Sequence, residues 1–392
     1  MRVKFLFTVA VIFMPFMLLS QSYIKLHEKA VVVDTHNDVL STVTLQGLNI
    51  ENDLTGKAHS DIARFRKGGI DVQVFSIFCD ERYGKGSAFA YANREIDSLY
   101  AIVNRNPEKM MLVTTPAEFQ QAIRSKKIGA MMGVEGGHMI EDDLANLEAL
   151  YKRGARYLTL TWNNSTSWAS SGKDEALHTV PNTANGLNDF GRSVVRRMNE
   201  LGMMVDLSHV GEQTFADAIS ISTKPVIASH SDAYTLCPHF RTLKDNQIRA
   251  IGKNGGVIFV NFYSGFIDST YQRRLADFLS THHTETDSLK NLKWADYEIN
   301  DWIAKKYPAS QQLRPPLSML LDHIDYIVKL TSVNNVGLGS DFDGIESAPQ
   351  GLDDVSSMPI ITKALRDRGY SKKEVRKILG GNFVRVFNAN SN

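Results

Sequence analysis

The chain has 392 residues, 43% of them hydrophobic and 22% charged, with a formal net charge of +1. That composition is ordinary for a globular protein and long enough for one large barrel or two medium domains. The near-neutral balance removes the electrostatic case for a nucleic-acid partner or an acidic membrane surface.

In chain order, Arg2 and Lys4 precede an uncharged apolar run over residues 5–19, and Ser20, Gln21 and Ser22 follow it. This predicts a signal peptide over residues 1–22 and export to the periplasm or beyond, with a barrel over 23–392. The run falls short of the roughly 20 residues a membrane span needs. An uncleaved, membrane-associated anchor is the alternative. Cys79 and Cys237 are the only cysteines; two so far apart are no disulfide framework and read as buried free thiols.

Short runs rich in Val, Ile and Leu recur at 31–34, 72–78, 129–134, 157–161, 203–207, 225–229, 257–262 and 336–339. Most do not alternate with polar residues, the pattern of parallel strands buried on both faces. Amphipathic segments at 88–104, 144–152, 186–201, 212–220, 243–253 and 317–330 separate them. Eight strands alternating with helices predict an α/β fold, a (β/α)8 TIM barrel, with a doubly wound open sheet as the alternative. Residues 264–316 hold no strand and predict a helical insertion after strand seven, over one barrel mouth. Residues 359–368 and 372–379 predict closing helices.

The strand ends carry the chemistry. The first runs into Asp34-Thr-His36-Asn-Asp38, the third into Glu135-Gly-Gly-His138 and the fifth into Asp206-Leu-Ser-His209. The sixth ends in Ser229-His230 and the eighth in Ser340-Asp341-Phe-Asp343. In a barrel these ends open on one face. His36 and Asp38, two apart, can point the same way and share an ion. Glu135 closes a buried strand, where an ionised carboxylate is costly without a cation. His36, Asp38, Glu135, His209 and His230 together predict a divalent-metal site, zinc being suited to imidazole with carboxylate. Tyr263, just past strand seven, is placed at the pocket wall.

The segments 34–38, 133–138, 156–161, 202–209 and 339–344 resemble the renal (membrane) dipeptidase family of the amidohydrolase superfamily, as do 61–69, 186–195 and 381–387. The likeness runs in order over residues 31–387. It implies a barrel with two zinc ions and a dipeptide as substrate. His36, Asp38 and Glu135 would hold one ion, and His209, His230 and a shared Glu135 the other. Asp341 would handle the proton of the attacking water, and Arg241 would take the substrate carboxylate. Such ions polarise the scissile carbonyl and lower the pKa of a bridging water. Where well-known members carry a substrate-contacting histidine, this chain has Trp162, which cannot accept or shuttle a proton; pocket shape and specificity are expected to differ there. Asp343, pointing away, is assigned to structure. His59, His138, His282 and His283 are read as lying behind or outside the site. A different amide or lactam hydrolase, or an exported binding barrel without turnover, are the competing functions. A homodimer is left open.

Overall fold

The computed structural model describes residues 23–180 and 185–391; the signal-peptide expectation falls outside them. Nine parallel strands form one sheet: β1 (Val33–Asp34), β2 (Val72–Phe78), β3 (Met110–Leu112), β4 (Ile128–Glu135), β5 (Ala155–Thr159), β6 (Met204–Asp206), β7 (Ile227–Ala228), β8 (Val257–Val260) and β9 (Val336–Leu338). All except β3 follow one another in the order β1-β2-β4-β5-β6-β7-β8-β9. The ends join through Thr35 N–H to Leu338 O at 3.2 Å and Asp38 N–H to Phe342 O at 3.0 Å. The barrel expected from the eight apolar runs is therefore the observed architecture, and the open sheet is not.

The runs lack alternation because both faces are buried in different cores. Val72 and Val74 join Val33, Met131, Tyr157, Met204, Ile227, Val257 and Phe259 in one cluster. Phe75 and Ile77, one step along β2, belong to the larger cluster shared with the outer helices. The first group is the barrel interior, stopped at its N-terminal end by the helix Asn382–Asn390. Phe383 and Phe387 of that helix lie against Phe119, and Phe383 against Phe259. Towards the other end the interior turns polar, at Ser76, Glu135, Thr159, Asp206 and Ser229, all buried. Apolar side chains below and polar ones above are what make the C-terminal mouth the reactive end.

Two elements escaped the periodicity. Strand β3 has only three residues and pairs with the start of β4, Met110 opposite Ile128; β5 takes over that edge from Met132 onward. The helix Pro116–Ser125 follows it, opened by a capping box between Thr115 and Glu118 with Pro at the first turn. That start signal is readable in sequence. The helix is short and its buried face is only Phe119 and Ala122.

The insertion after the seventh barrel strand, β8, is helical, as expected. It comprises Ser264–Ile267, Tyr271–Ser280, His283–Asn291 and Asp296–Lys306, then a 3-10 turn at Pro308–Leu313. Leu289, Ile299 and Ile303 give it a small core of its own. Among the described residues no helix is long and apolar enough to cross a membrane.

Candidate metal centre

Five strand ends converge as their chain positions suggest. His36 and Asp38 lie past β1, where a bridge between Asn37 and Phe342 extends the parallel pairing. The i, i+2 rule therefore still holds, and His36 Nε2 sits 3.4 Å from Asp38 Oδ2. Glu135, the last residue of β4, divides its two oxygens. Oε2 faces His36 Nε2 at 3.2 Å and accepts from Ser76 Oγ at 3.2 Å. Oε1 faces His209 Nε2 at 2.8 Å and His230 Nε2 at 3.4 Å. Asp341 Oδ1 is 3.9 Å from His36 Nε2, while its Oδ2 accepts from Asn261 Nδ2 at 2.8 Å.

The far ring nitrogens decide what the near ones can do. His209 Nδ1 meets Asn163 Oδ1 at 3.1 Å, an oxygen that can only accept. His230 Nδ1 meets Ser229 Oγ at 2.8 Å, whose proton goes to Asp206 Oδ2 at 2.6 Å. His36 Nδ1 meets the Tyr157 hydroxyl at 2.9 Å, which itself donates to Thr35 O at 3.1 Å. Each Nδ1 is thus the protonated nitrogen. In the neutral rings all three Nε2 lone pairs then point inward, the arrangement of metal-binding histidines held by outer partners. His209 Nε2 and His230 Nε2 are only 3.0 Å apart, a contact between lone pairs that a cation relieves.

Charge points the same way. Burial pushes His209 down to about 3 and His230 well below the usual imidazole value, so both are neutral ligands in waiting. Burial opposes charge on His36 as well. Tyr157 and the Glu135 and Asp38 carboxylates outweigh it and lift His36 well above its usual value. Burial also opposes ionisation of Glu135, yet the surrounding histidines, His36 first, hold it well below the ordinary carboxylate range. Asp341 is pushed well above its usual value by burial. Buried carboxylates this close together are ionised only with positive charge beside them, and a proton on His36 supplies at most one. Among the described residues, His36 Nε2 and Asp38 Oδ1 have no hydrogen-bond partner. Donor atoms of His36, Glu135 and His230 lie within 4.8 Å of one another, as do those of His36, Asp38 and Asp341. The two overlapping sets fit a binuclear metal site.

Tight backbone turns aim several of these groups. His209 and Asp341 adopt left-handed φ values of 65° and 62°, a conformation costing a non-glycine residue about 1–3 kcal/mol and met mostly at working sites. Gly133 is required by close approach, since a Cβ there would lie 1.9 Å from the Tyr157 ring that orients His36.

The remaining expected residues also gather around this mouth. Arg241 is buried; its Nη2 donates to His230 O at 3.1 Å, and its Nη1 has no hydrogen-bond partner among the described residues. Its guanidinium lies 5.3 Å from the Phe266 ring, which Tyr263 meets edge-on at 4.7 Å. Tyr263 donates to Glu346 Oε1 at 2.8 Å. Trp162 stands beside His209, ring centroids 6.4 Å apart. Asp343 Oδ1 instead accepts from the His59 backbone at 2.6 Å, and His138 Nε2 bonds Cys79 O at 2.9 Å; neither faces the cluster. Cys79 and Cys237 are free and buried. The sequence reading did not single out Tyr157, Asn163 or Asn261. Asn163 and Asn261 lie just past strand ends like the ligands, and that position was their only signal.

A barrel with this mouth is the scaffold of a metal-dependent hydrolase. The membrane dipeptidase family (peptidase family M19) matches residues 21–392, and the chain belongs to that family. Among solved structures, the probable dipeptidase PvdM from Pseudomonas aeruginosa is similar at 23% identity and a TM-score of 0.78, covering 95% of this chain and 98% of that one. A metallo peptidase from Rhodobacter sphaeroides, liganded with a phosphinate mimic of the dipeptide L-Ala-D-Ala, gives 23% identity and a TM-score of 0.72 over 92% and 99%. An amidohydrolase from Pseudomonas aeruginosa gives 20% and 0.71 over 94% and 98%. At these identities the likenesses speak to the fold.

Proposed function

We propose that the protein is an exported dipeptidase working with two zinc ions. His36, Asp38 and Glu135 would hold the first; His209, His230 and the shared Glu135 would hold the second. The ions would polarise the scissile carbonyl and make water a competent nucleophile at neutral pH. Asp341 is the general base. Asn261 holds its Oδ2, leaving Oδ1 turned to the cluster to take the proton of water and deliver it to the leaving amine. Arg241 receives the free carboxylate of the substrate through its planar fork, with Tyr263 and Trp162 lining the pocket.

The observation that carries this reading is the split Glu135 carboxylate, ringed by three Nε2 atoms, beside a buried guanidinium whose Nη1 has no hydrogen-bond partner among the described residues. Asp341 and Glu135 lie near enough to favour the charged guanidinium, yet Nη1 has no hydrogen-bond partner among the described residues, and a dipeptide's free carboxylate would supply one. The dipeptide mimic bound by the Rhodobacter protein supports a substrate of that size. A small-dipeptide panel should be hydrolysed to free amino acids, with activity lost on chelation and restored by zinc. Hydrolysis of N-acyl amino acids or lactams in place of dipeptides would move the assignment to that wider class.

Export rests on Arg2, Lys4 and the uncharged run after them. N-terminal sequencing of the mature protein is expected to begin within a few residues of Gln21. A soluble cytoplasmic form starting at Met1 would refute it.

A further inference from the structure

Trp162 is not an isolated substitution; the insertion is built onto it. Its ring packs against Phe78 at the end of β2, centroids 5.0 Å apart. Gly136, with φ of 101°, lies beside it; a Cβ there would lie 2.5 Å from His138 Cε1 and 3.3 Å from Trp162 Cβ. From across the mouth, Tyr297 of the helix Asp296–Lys306 meets the indole edge-on, centroids 6.4 Å apart at 88°. Tyr297 is held in turn. Its hydroxyl donates to Asp80 Oδ2 at 2.9 Å and accepts from Arg82 Nη2 at 3.2 Å. Arg82 also bonds Glu298 Oε1 at 2.9 Å, the residue after Tyr297. Two polar groups, Asp80 and Arg82, thus fix one aromatic ring, still 39% exposed, over another that stands beside His209.

We propose that Trp162 and Tyr297 form an aromatic wall that selects dipeptides with a large apolar C-terminal residue. The inference rests on the dipeptidase reading above. His209 and His230 converge on one oxygen of Glu135. Arg241 is bonded at His230, and Trp162 stands at His209. A dipeptide whose carboxylate reaches Arg241 therefore lays its C-terminal residue along the His209–His230 side, where the wall stands. Aromatic faces reward apolar area and offer no counter-charge. The amino-terminal residue would then lie towards His36 and Asp38.

The test compares kcat/KM for Ala-Gly, Ala-Leu and Ala-Phe, and for Gly-Ala, Leu-Ala and Phe-Ala, on the zinc-loaded enzyme. The parent should favour Ala-Leu and Ala-Phe over Ala-Gly by about 10-fold or more, the scale a hydrophobic pocket achieves, with a flatter response in the second series. Trp162→Ala should bring that preference within about threefold, with zinc content near the parent's. Tyr297→Ala should weaken the preference, and Tyr297→Phe should keep most of it. If Trp162→Ala loses its zinc, Tyr297→Ala decides alone. An active parent with no C-terminal preference, a preference confined to the N-terminal residue, or one untouched by the deciding variant overturns the wall and leaves the dipeptidase reading standing. A parent that hydrolyses no dipeptide overturns both.

Discussion

Glu135→Ala is expected to empty the site of both ions and abolish hydrolysis. One carboxylate serves two groups of donors, Oε2 towards His36 and Oε1 towards His209 and His230, so its removal weakens both ions at once. Asp38→Ala, by contrast, should weaken chiefly the ion at His36. The apolar barrel interior is a separate cluster from these ligands, so the variant should still fold. What it loses is the stabilisation of a bound ligand, about 2.7 kcal/mol for an ion present at 100 times its Kd. Elemental analysis with thermal unfolding, with and without chelator, checks this. The parent should carry about two zinc ions per chain and melt lower after chelation. Glu135→Ala should melt near the chelated parent and be indifferent to chelator. Parent protein never exposed to chelator yet free of transition metal would sink the binuclear assignment, and Glu135→Ala retaining both ions would sink the bridge.

Arg241→Ala and Asp341→Asn should fail in different ways. The carboxylate that Arg241 holds is present in substrate and transition state alike, so its loss should raise KM more than it lowers kcat. The cost is about 2–5 kcal/mol for a desolvated charge pair, because the guanidinium is buried and its Nη1 has no other hydrogen-bond partner among the described residues. Amidating the C-terminus of the substrate should produce a similar loss, and the two should not add. Asp341→Asn should instead lower kcat by about 10²–10⁴. Asn261 donates to Oδ2, so an asparagine at 341 would turn its carbonyl there and present its amide to the cluster, removing the base while keeping the shape. Zinc content should stay near normal in both variants. Steady-state kinetics on free and amidated dipeptides separate the cases. If Arg241→Ala turns over both as well as the parent does, the carboxylate role is wrong and a wider amidohydrolase reading takes its place.

The barrel and the positions of its reactive groups could be read locally. Strands buried on two faces leave continuous apolar runs, and the residues just past them must lie at the barrel mouth. That placed His36, Asp38, Glu135, His209, His230 and Asp341 on one face without coordinates. Strand β3 was too short to leave a pattern, and the helix Pro116–Ser125 buries too little to show a stripe. The sequence could not reveal the state of each ring. Tyr157 lies 121 positions from His36 and Asn163 lies 46 from His209; only barrel closure sets which nitrogen bears the proton. The left-handed turns at His209 and Asp341 are likewise imposed by their neighbours, since neither residue favours them alone. Trp162 was legible as a departure from the family pattern, but its partner was not. Tyr297 reaches it from a separate helix because Asp80 and Arg82 hold the insertion there, and no local preference encodes a contact across that distance.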